Sequence, residues 1–201
     1  MLSDSVRGTS PADVLLSLAD GYASGIKARF DVSRRMKGSI ITWPHGCGVI
    51  YQCIQNCDGH HLDIGTAGGG TAFVSHKAIK DGRRVYTVDP FEGKYKDYKE
   101  IWIENQAKLG PDILWVPNLD DLLDARFATA YIDGDHAFES IWRDWNFCIS
   151  KVDNYIILDD VCRKFPGVLS VFDILSRGGT NWRLVHLAGI TAVFAKEPLT
   201  N

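Results

Sequence analysis

A chain of 201 residues accommodates one complete α/β domain and is too short for two comfortable ones. Its 45% hydrophobic and 23% charged residues are ordinary for a globular protein, and a net charge of -3 offers no broad attraction to nucleic acid or an anionic membrane. No apolar run approaches the roughly 20 residues that span a bilayer, and Met1 to Pro11 lacks the basic-then-apolar order of a signal peptide, so a cytoplasmic protein without membrane or nucleic-acid partners is expected.

Residues 1–58 read as an N-terminal helical or cover segment, ahead of the domain proper at 59–201. Ser10, Pro11 and Asp13 make a helix start: a capping hydroxyl, proline at the first helical position, and an acid in the first turn. Val14, Leu15 and Leu18 give that helix an apolar face, and Gly21 is expected to end it. Arg29 to Lys37 is basic with little periodicity and reads as a solvated connector, with a mobile cover over a site as the alternative. A second helix is predicted from Gly48 to Cys57. Five cysteines at irregular spacing argue against a disulfide framework. Cys53 and Cys57 lie one helical turn apart just before His60 and His61. Zinc would need a second well-spaced ligand pair, so small apolar residues on a buried face are the simpler reading.

From residue 60 the rhythm is regular. Strands are predicted at His60–Ile64, Arg84–Asp89, Ile113–Val116, Ala128–Asp133 and Asn154–Asp159. Helical stretches fall between them at Thr71–Lys80, Tyr95–Leu109, briefly after Asn118, and at Ala137–Ser150. Phe138, Ile141, Trp142, Trp145 and Ile149 recur at helical spacing as the core face of the last. Such alternation means a parallel sheet with right-handed crossovers. Trp182–Leu187 and Ile190–Lys196 are separated only by Ala188-Gly189, which allows an antiparallel hairpin and excludes a helical crossover.

Two hydrophobic runs end abruptly in acids: Tyr131-Ile132-Asp133-Gly134-Asp135-His136 and Leu158-Asp159-Asp160. In an α/β sheet such acids sit at the carboxyl edge, where these folds bind ligands. Carboxylates gathered there repel one another unless a positive group lies between them, and a divalent cation is the natural candidate. The loop Leu62-Asp63-Ile64-Gly65-Thr66-Ala67-Gly68-Gly69-Gly70-Thr71 lets a ligand approach the main chain. Ala67 stands where the dinucleotide fingerprint has its second glycine. Asp63 would oppose a pyrophosphate, and Asp89 suits two ribose hydroxyls, with a helix cap as its simpler role. A ribose, an adenine and a positive neighbouring group describe S-adenosylmethionine.

The order Asp63–Gly65–Gly69-Gly70, then Val88-Asp89-Pro90-Phe91, then Tyr131 to His136, then Leu158-Asp159-Asp160 resembles the class I S-adenosylmethionine-dependent methyltransferases. Within them it resembles the cation-dependent O-methyltransferases of the macrocin O-methyltransferase branch. The resemblance covers roughly residues 60 to 196. It implies a Rossmann-like α/β fold: a mostly parallel seven-stranded sheet, a C-terminal antiparallel hairpin, and helices on both faces. It also implies a cation, Mg²⁺ foremost, on Asp133, Asp159 and Asp160. The cofactor would lie along Asp63, Gly65, Thr66, Gly69, Thr71 and Asp133, with Asp89 on the ribose. Pro117-Asn118-Leu119 departs from the family near the adenine, and Asn118 is the one adenine contact suggested there. A possible homodimer also follows from the family.

Methyl transfer needs an aligned, electron-rich acceptor oxygen, which a hard cation supplies by lowering a hydroxyl's pKa. His136 is the first candidate base, since imidazole titrates near neutrality, with the start of the next helix as its simpler role. Asp135 is the second, with an N-cap as the simpler role. The acceptor implied is a small molecule's hydroxyl, a sugar or polyhydroxylated metabolite by family analogy. Lys94, Lys96, Trp43 and His45 are within reason as acceptor contacts, and none is selected. Asp133-Gly134-Asp135 also reads as the D-x-D of a metal-dependent glycosyltransferase, which the glycine loop and the second acidic pair oppose. A binding domain that keeps the fold and has lost turnover is the third reading.

Overall fold

Short runs of β-branched and aromatic residues, buried on both faces, build the centre of the sheet. β1 (His61–Ile64) and β4 (Phe127–Ile132) are buried throughout, and β5 (Val152–Leu158) is buried except at Asp153 and Asn154. The computed structural model describes residues 19–38, 42–109 and 112–197; the helix start at Ser10, Pro11 and Asp13 lies outside them. β2 (Val85–Val88), β3 (Leu114–Val116), β6 (Trp182–Ala188) and β7 (Thr191–Lys196) complete seven strands in the order β3-β2-β1-β4-β5-β7-β6. β1 to β5 pair parallel, and β7 runs antiparallel to both β5 and β6. This is the expected Rossmann-like α/β fold, hairpin included.

Alternation along the strands sorts the core into two layers. Ile64, Ala130, Ile132 and Ile156 face α5 (Phe138–Lys151) and α6 (Pro166–Ser176), where Ile141, Trp145, Val168 and Val171 close the core. Tyr131, Tyr155 and Ile157 face the other way, toward Val49, Ile50 and Cys53 of α2 (Pro44–Gln55). α1 (Ala19–Ser33), α3 (Gly70–Ala78) and α4 (Tyr98–Leu109) extend that second layer around Val32, Phe73 and Trp102. No helix among the described residues is long and apolar enough to cross a membrane.

Two expectations are corrected and one helix is added. Gly21 does not end a helix; α1 continues through it to Ser33. Its glycines serve packing instead: a Cβ on Gly25 would lie 2.5 Å from the Cys47 carbonyl and 2.7 Å from the Cα of Gly48, so α1 and α2 touch backbone to backbone. The basic stretch after Arg29 is no free connector, because Val32 and Met36 are buried and Asn105 brackets the backbone of Lys37 with bonds of 2.6 and 2.9 Å. α6 was not anticipated, although Pro166 at its first turn and Val168, Val171 and Leu175 along one face carry its signal.

Cys53 and Cys57 are buried in the α2 layer, and burial drives both thiols up, Cys57 to about 12. His61 is sealed in β1 with Nδ1 2.7 Å from Thr129 Oγ1. Packing in the core accounts for Cys53, Cys57 and His61. Burial holds the His61 imidazole down to about 3. A depressed histidine pKa means that the unfolded chain binds the extra proton, so this contribution is complete above about pH 6.5 and is lost as the pH falls toward 3. Relative to a His61→Gln variant, wild-type stability should fall by about 1.4 kcal/mol per pH unit over that window. Thermal melts of the two proteins from pH 7 to 4 check it, and parallel curves would refute it.

Candidate functional site

The sheet ladder continues past the strand ends and fixes the tips. Gly65 N donates to the Val88 carbonyl at 2.9 Å, Asp133 N to Ile64 at 2.8 Å and Asp159 N to Ile132 at 3.1 Å. Gly65, at φ +103°, is required there: a Cβ would lie 2.1 Å from the Asp133 carbonyl oxygen. Among the described residues the three non-glycine residues with positive φ, Ala67, Phe91 and Asp160, all flank these tips. A left-handed residue costs roughly 1–2 kcal/mol. Backbone strain is therefore concentrated where the β1, β2 and β5 loops meet.

A cavity of about 470 Å³ opens over the tips, lined by Gly65, Thr66, Thr71, Asp89, Asp133 and His136 among others. Asp63, two residues before Gly65, is fully buried behind the cavity wall, and neither carboxylate oxygen has a partner at full hydrogen-bond geometry, the Thr71 hydroxyl being its nearest polar influence. Burial pushes its carboxyl well up, against a smaller opposing influence from the Thr71 hydroxyl. Asp89 ties the loops together, accepting from Ala67 N at 3.1 Å and Phe91 N at 2.8 Å, so its expected alternative as a helix cap does not apply. Thr66 Oγ1 sits 2.7 Å from Thr87 Oγ1 and anchors the glycine loop to β2. Gly69 takes a structural part, since a Cβ there would lie 2.6 Å from the Trp102 ring. Asn118 is exposed and outside the cavity wall, where its backbone N donates to Asp121 at 3.3 Å.

The acidic tips split into two groups. Asp133, His136 and Asp160 each present one ligand atom within 4.8 Å of the others. His136 Nε2 is 3.0 Å from Asp160 Oδ2 and 3.6 Å from Asp133 Oδ1, without the alignment of a hydrogen bond to either. Burial lifts the Asp133 carboxyl to about 7, whereas the Asp133 and Asp160 carboxylates lift the His136 imidazole to about 9. Its ring stacks on Phe165 at 4.1 Å. Gly167 permits that arrangement: a Cβ there would lie 2.3 Å from the His136 carbonyl oxygen, so α6 starts against this loop.

Asp159 faces the other way. Its Oδ1 accepts from Thr191 Oγ1 and its Oδ2 from the Tyr131 phenol, both at 2.5 Å. The phenol has one proton, which the short bond to Asp159 takes; Thr42 Oγ1, 2.7 Å away, then donates to the phenolic oxygen. Tyr131 also lies 3.3 Å from Asp133 Oδ2. Of the three acids expected around a cation, Asp133 and Asp160 converge together with His136, whereas Asp159 accepts its bonds within a buried network. Asp135 is exposed and bonded to Ser140 Oγ at 2.8 Å, so Asp133 and Asp135 do not converge as a D-x-D pair. Tyr131, Thr42, Thr191 and Phe165 went unread in the sequence. Tyr131 had a signal, two residues before Asp133 on the same side of a strand.

No family model matches the chain, and no curated protein matches it by sequence. Solved structures do match its fold. An O-methyltransferase from Bacillus cereus in complex with SAH is 15% identical, covers 93% of this chain and 94% of its own, and superposes with a TM-score of 0.62. The O-methyltransferase TomG from Streptomyces achromogenes, in complex with SAM, is 15% identical over 90% of this chain and 91% of its own at 0.60. An SAH-bound methyltransferase from Podospora anserina is 10% identical over 90% and 89% at 0.61.

The unpartnered Asp63 sets a stability test. A raised carboxyl pKa means that this group favours the fold below about pH 4 and loses that contribution as the pH rises. Asp63→Asn, neutral and isosteric, should melt above wild type in ligand-free protein, with the gap widening from pH 4 to 7. A variant melting at or below wild type across that range would contradict a buried, unpaired carboxylate.

Proposed function

We propose that this chain is an S-adenosylmethionine-dependent O-methyltransferase that works with a divalent cation on the hydroxyl of a small molecule. One observation carries the proposal: Asp63 is a buried carboxylate with only the Thr71 hydroxyl acting on it and no well-formed hydrogen bond, just ahead of a loop that only glycine at position 65 permits. A fold shared with O-methyltransferase structures holding SAM or SAH supports it. Such a site rejects phosphate and favours a cationic amine, which the methionine end of S-adenosylmethionine provides. Backbone at Gly65 to Gly68 follows the cofactor. Asp89 keeps lone pairs for ribose hydroxyls beside the backbone bonds it already accepts. Pro90, Glu92 and Tyr95 line the cavity beyond it, in place of Asn118, for the adenine.

The donor set fits a cation. Two carboxylates and an imidazole converge, the imidazole 3.0 Å from Asp160, and a nitrogen among the ligands moves the preference from Mg²⁺ toward a transition-series ion, for which Mn²⁺ serves as the probe. Asp133, His136 and Asp160 would hold it, with Asp159 as the buried support of Tyr131. When bound, S-adenosylmethionine supplies an electrophilic methyl group, and the cation supplies Lewis acidity to the acceptor oxygen. His136 is committed between two acids and stacked on Phe165. Asp135, exposed on the same cavity wall with Ser140 on only one oxygen, is therefore assigned to receive the acceptor's proton.

Titration calorimetry should show S-adenosylmethionine binding at about micromolar Kd, weakened by roughly tenfold or more in Asp63→Asn. An absence of heat with the wild-type protein rejects the reading. For the cation, the free Mn²⁺ resonance signal should fall on adding protein. Asp133→Asn and His136→Gln should restore most of it, while Asp159→Asn, acting only through Tyr131, should weaken affinity by roughly tenfold and leave binding measurable. Loss of binding in Asp159→Asn with His136→Gln unaffected would return the cation to the three aspartates.

A further inference from the structure

Beside the cation group lies a second cavity, of about 390 Å³, whose walls include Trp43, His45, Lys164, Phe165 and Ile190. It meets the larger cavity along Trp43, Asp160, Lys164 and Phe165, which line both. The wall is chiefly carbon. His45, Asp160 and Lys164 are the charged or strongly polar side chains on it, with Cys162 adding only a weak thiol.

A sugar brings a hydroxyl on nearly every carbon, and each one taken from water needs a partner. Three such side chains, one already in the cation group, are too few. Two aromatic rings suit a flat guest. Phe165 is stacked on His136, and Trp43 stands 65% exposed, a large apolar side chain mostly uncovered by the described residues. Trp43 is also held in place: it is the N-cap of α2, and its neighbour Thr42 is fixed by Tyr131 and by Arg29 Nε, which donates to the Thr42 carbonyl at 3.1 Å.

The charges on this wall are asymmetric. Asp160 marks the edge shared with the cation group. Lys164 has its Nζ 4.9 Å from the Phe165 centroid and no carboxylate partner among the described residues. His45 sits in the first turn of α2, with Nδ1 held by the Tyr22 hydroxyl and Nε2 left for a guest. That turn contains no acid, so the partial positive charge of the helix start is not offset.

We propose that this cavity is the acceptor subsite and that the acceptor is an aromatic hydroxy acid. Its ring lies between Trp43 and Phe165, its hydroxyl points to the Asp160 edge, and its carboxylate meets Lys164 and His45. The inference rests on the methyltransferase reading and replaces the sugar expected from family analogy with a planar anion.

The test is titration calorimetry on the full chain with Mn²⁺, saturated with SAH. Three probes are compared: protocatechuate, its neutral twin protocatechuyl alcohol, and methyl glucoside. Protocatechuate should bind at least about tenfold tighter than the alcohol, and the glucoside should give no heat. Lys164→Ala should reduce the preference for the acid to within about threefold while leaving the alcohol's affinity in place. Protocatechuate should also quench the tryptophan signal of wild type but not that of Trp43→Phe. Glucoside binding as tight as protocatechuate, or an unchanged acid preference in Lys164→Ala, overturns the proposal. SAH heat with no binding of either aromatic probe overturns the acceptor class alone; absence of SAH heat overturns the methyltransferase reading and this inference with it.

Discussion

Negative charge held out of water at the tips of β1, β4 and β5 is the constraint around which the rest of the molecule is arranged. Asp63 and Asp159 are almost wholly buried, and Asp133 is raised to about 7 by its surroundings. Folding alone does not favour such an arrangement, because a buried carboxylate without a partner costs several kcal/mol. Each acid meets that cost differently. Asp159 is satisfied by two hydroxyls, Asp133 and Asp160 share the neighbourhood of one imidazole, and Asp63 is left with no well-formed bond on either oxygen. The unsatisfied member lies two residues before Gly65 in sequence, and the strained residues Ala67, Phe91 and Asp160 lie in the loops at the same end of the sheet. Incompletely satisfied charge and stored strain at one end of a rigid sheet are what a ligand site looks like before its ligands arrive.

The Thr42–Tyr131–Asp159–Thr191 chain connects parts of the molecule that are distant in sequence. It joins the start of α2 to the last strand through the middle of the sheet. Gly46 makes room for it, since a Cβ there would lie 2.6 Å from Thr42 Cγ2 and 3.0 Å from Thr191 Oγ1. The same hydroxyls that occupy Asp159 thereby place Trp43 over the cavity. The Asp133–His136–Asp160 group and the Trp43 wall are consequently tied to one buried network, expected to be rigid.

The sheet was legible because its signal is local. Apolar runs ending in acids locate β1, β2, β4 and β5 to within two residues, and the two-residue link Ala188-Gly189 dictated the hairpin. Helices read from glycine punctuation fared worse. Gly21 looked like a stop, yet tertiary contact between α1 and α2 overrode the propensity. At the site, residue identity foretold which acids gather at the sheet edge. It did not reveal which way Asp159 and Asp160 face, for adjacent residues at a strand end diverge and Asp160 adopts φ +58°. His136 as a partner of both acids, rather than a free base, depends on α6 packing through Gly167, a long-range contact with no local trace.

Anomalous diffraction from a crystal grown with Mn²⁺ and S-adenosylmethionine tests the account most directly. A peak bounded by Asp133, His136 and Asp160, with the cofactor's ammonium over Asp63 and Asp159 still bonded to Tyr131 and Thr191, is the predicted result. A peak that draws Asp159 away from those hydroxyls, or a cofactor whose charged end avoids Asp63, would contradict it.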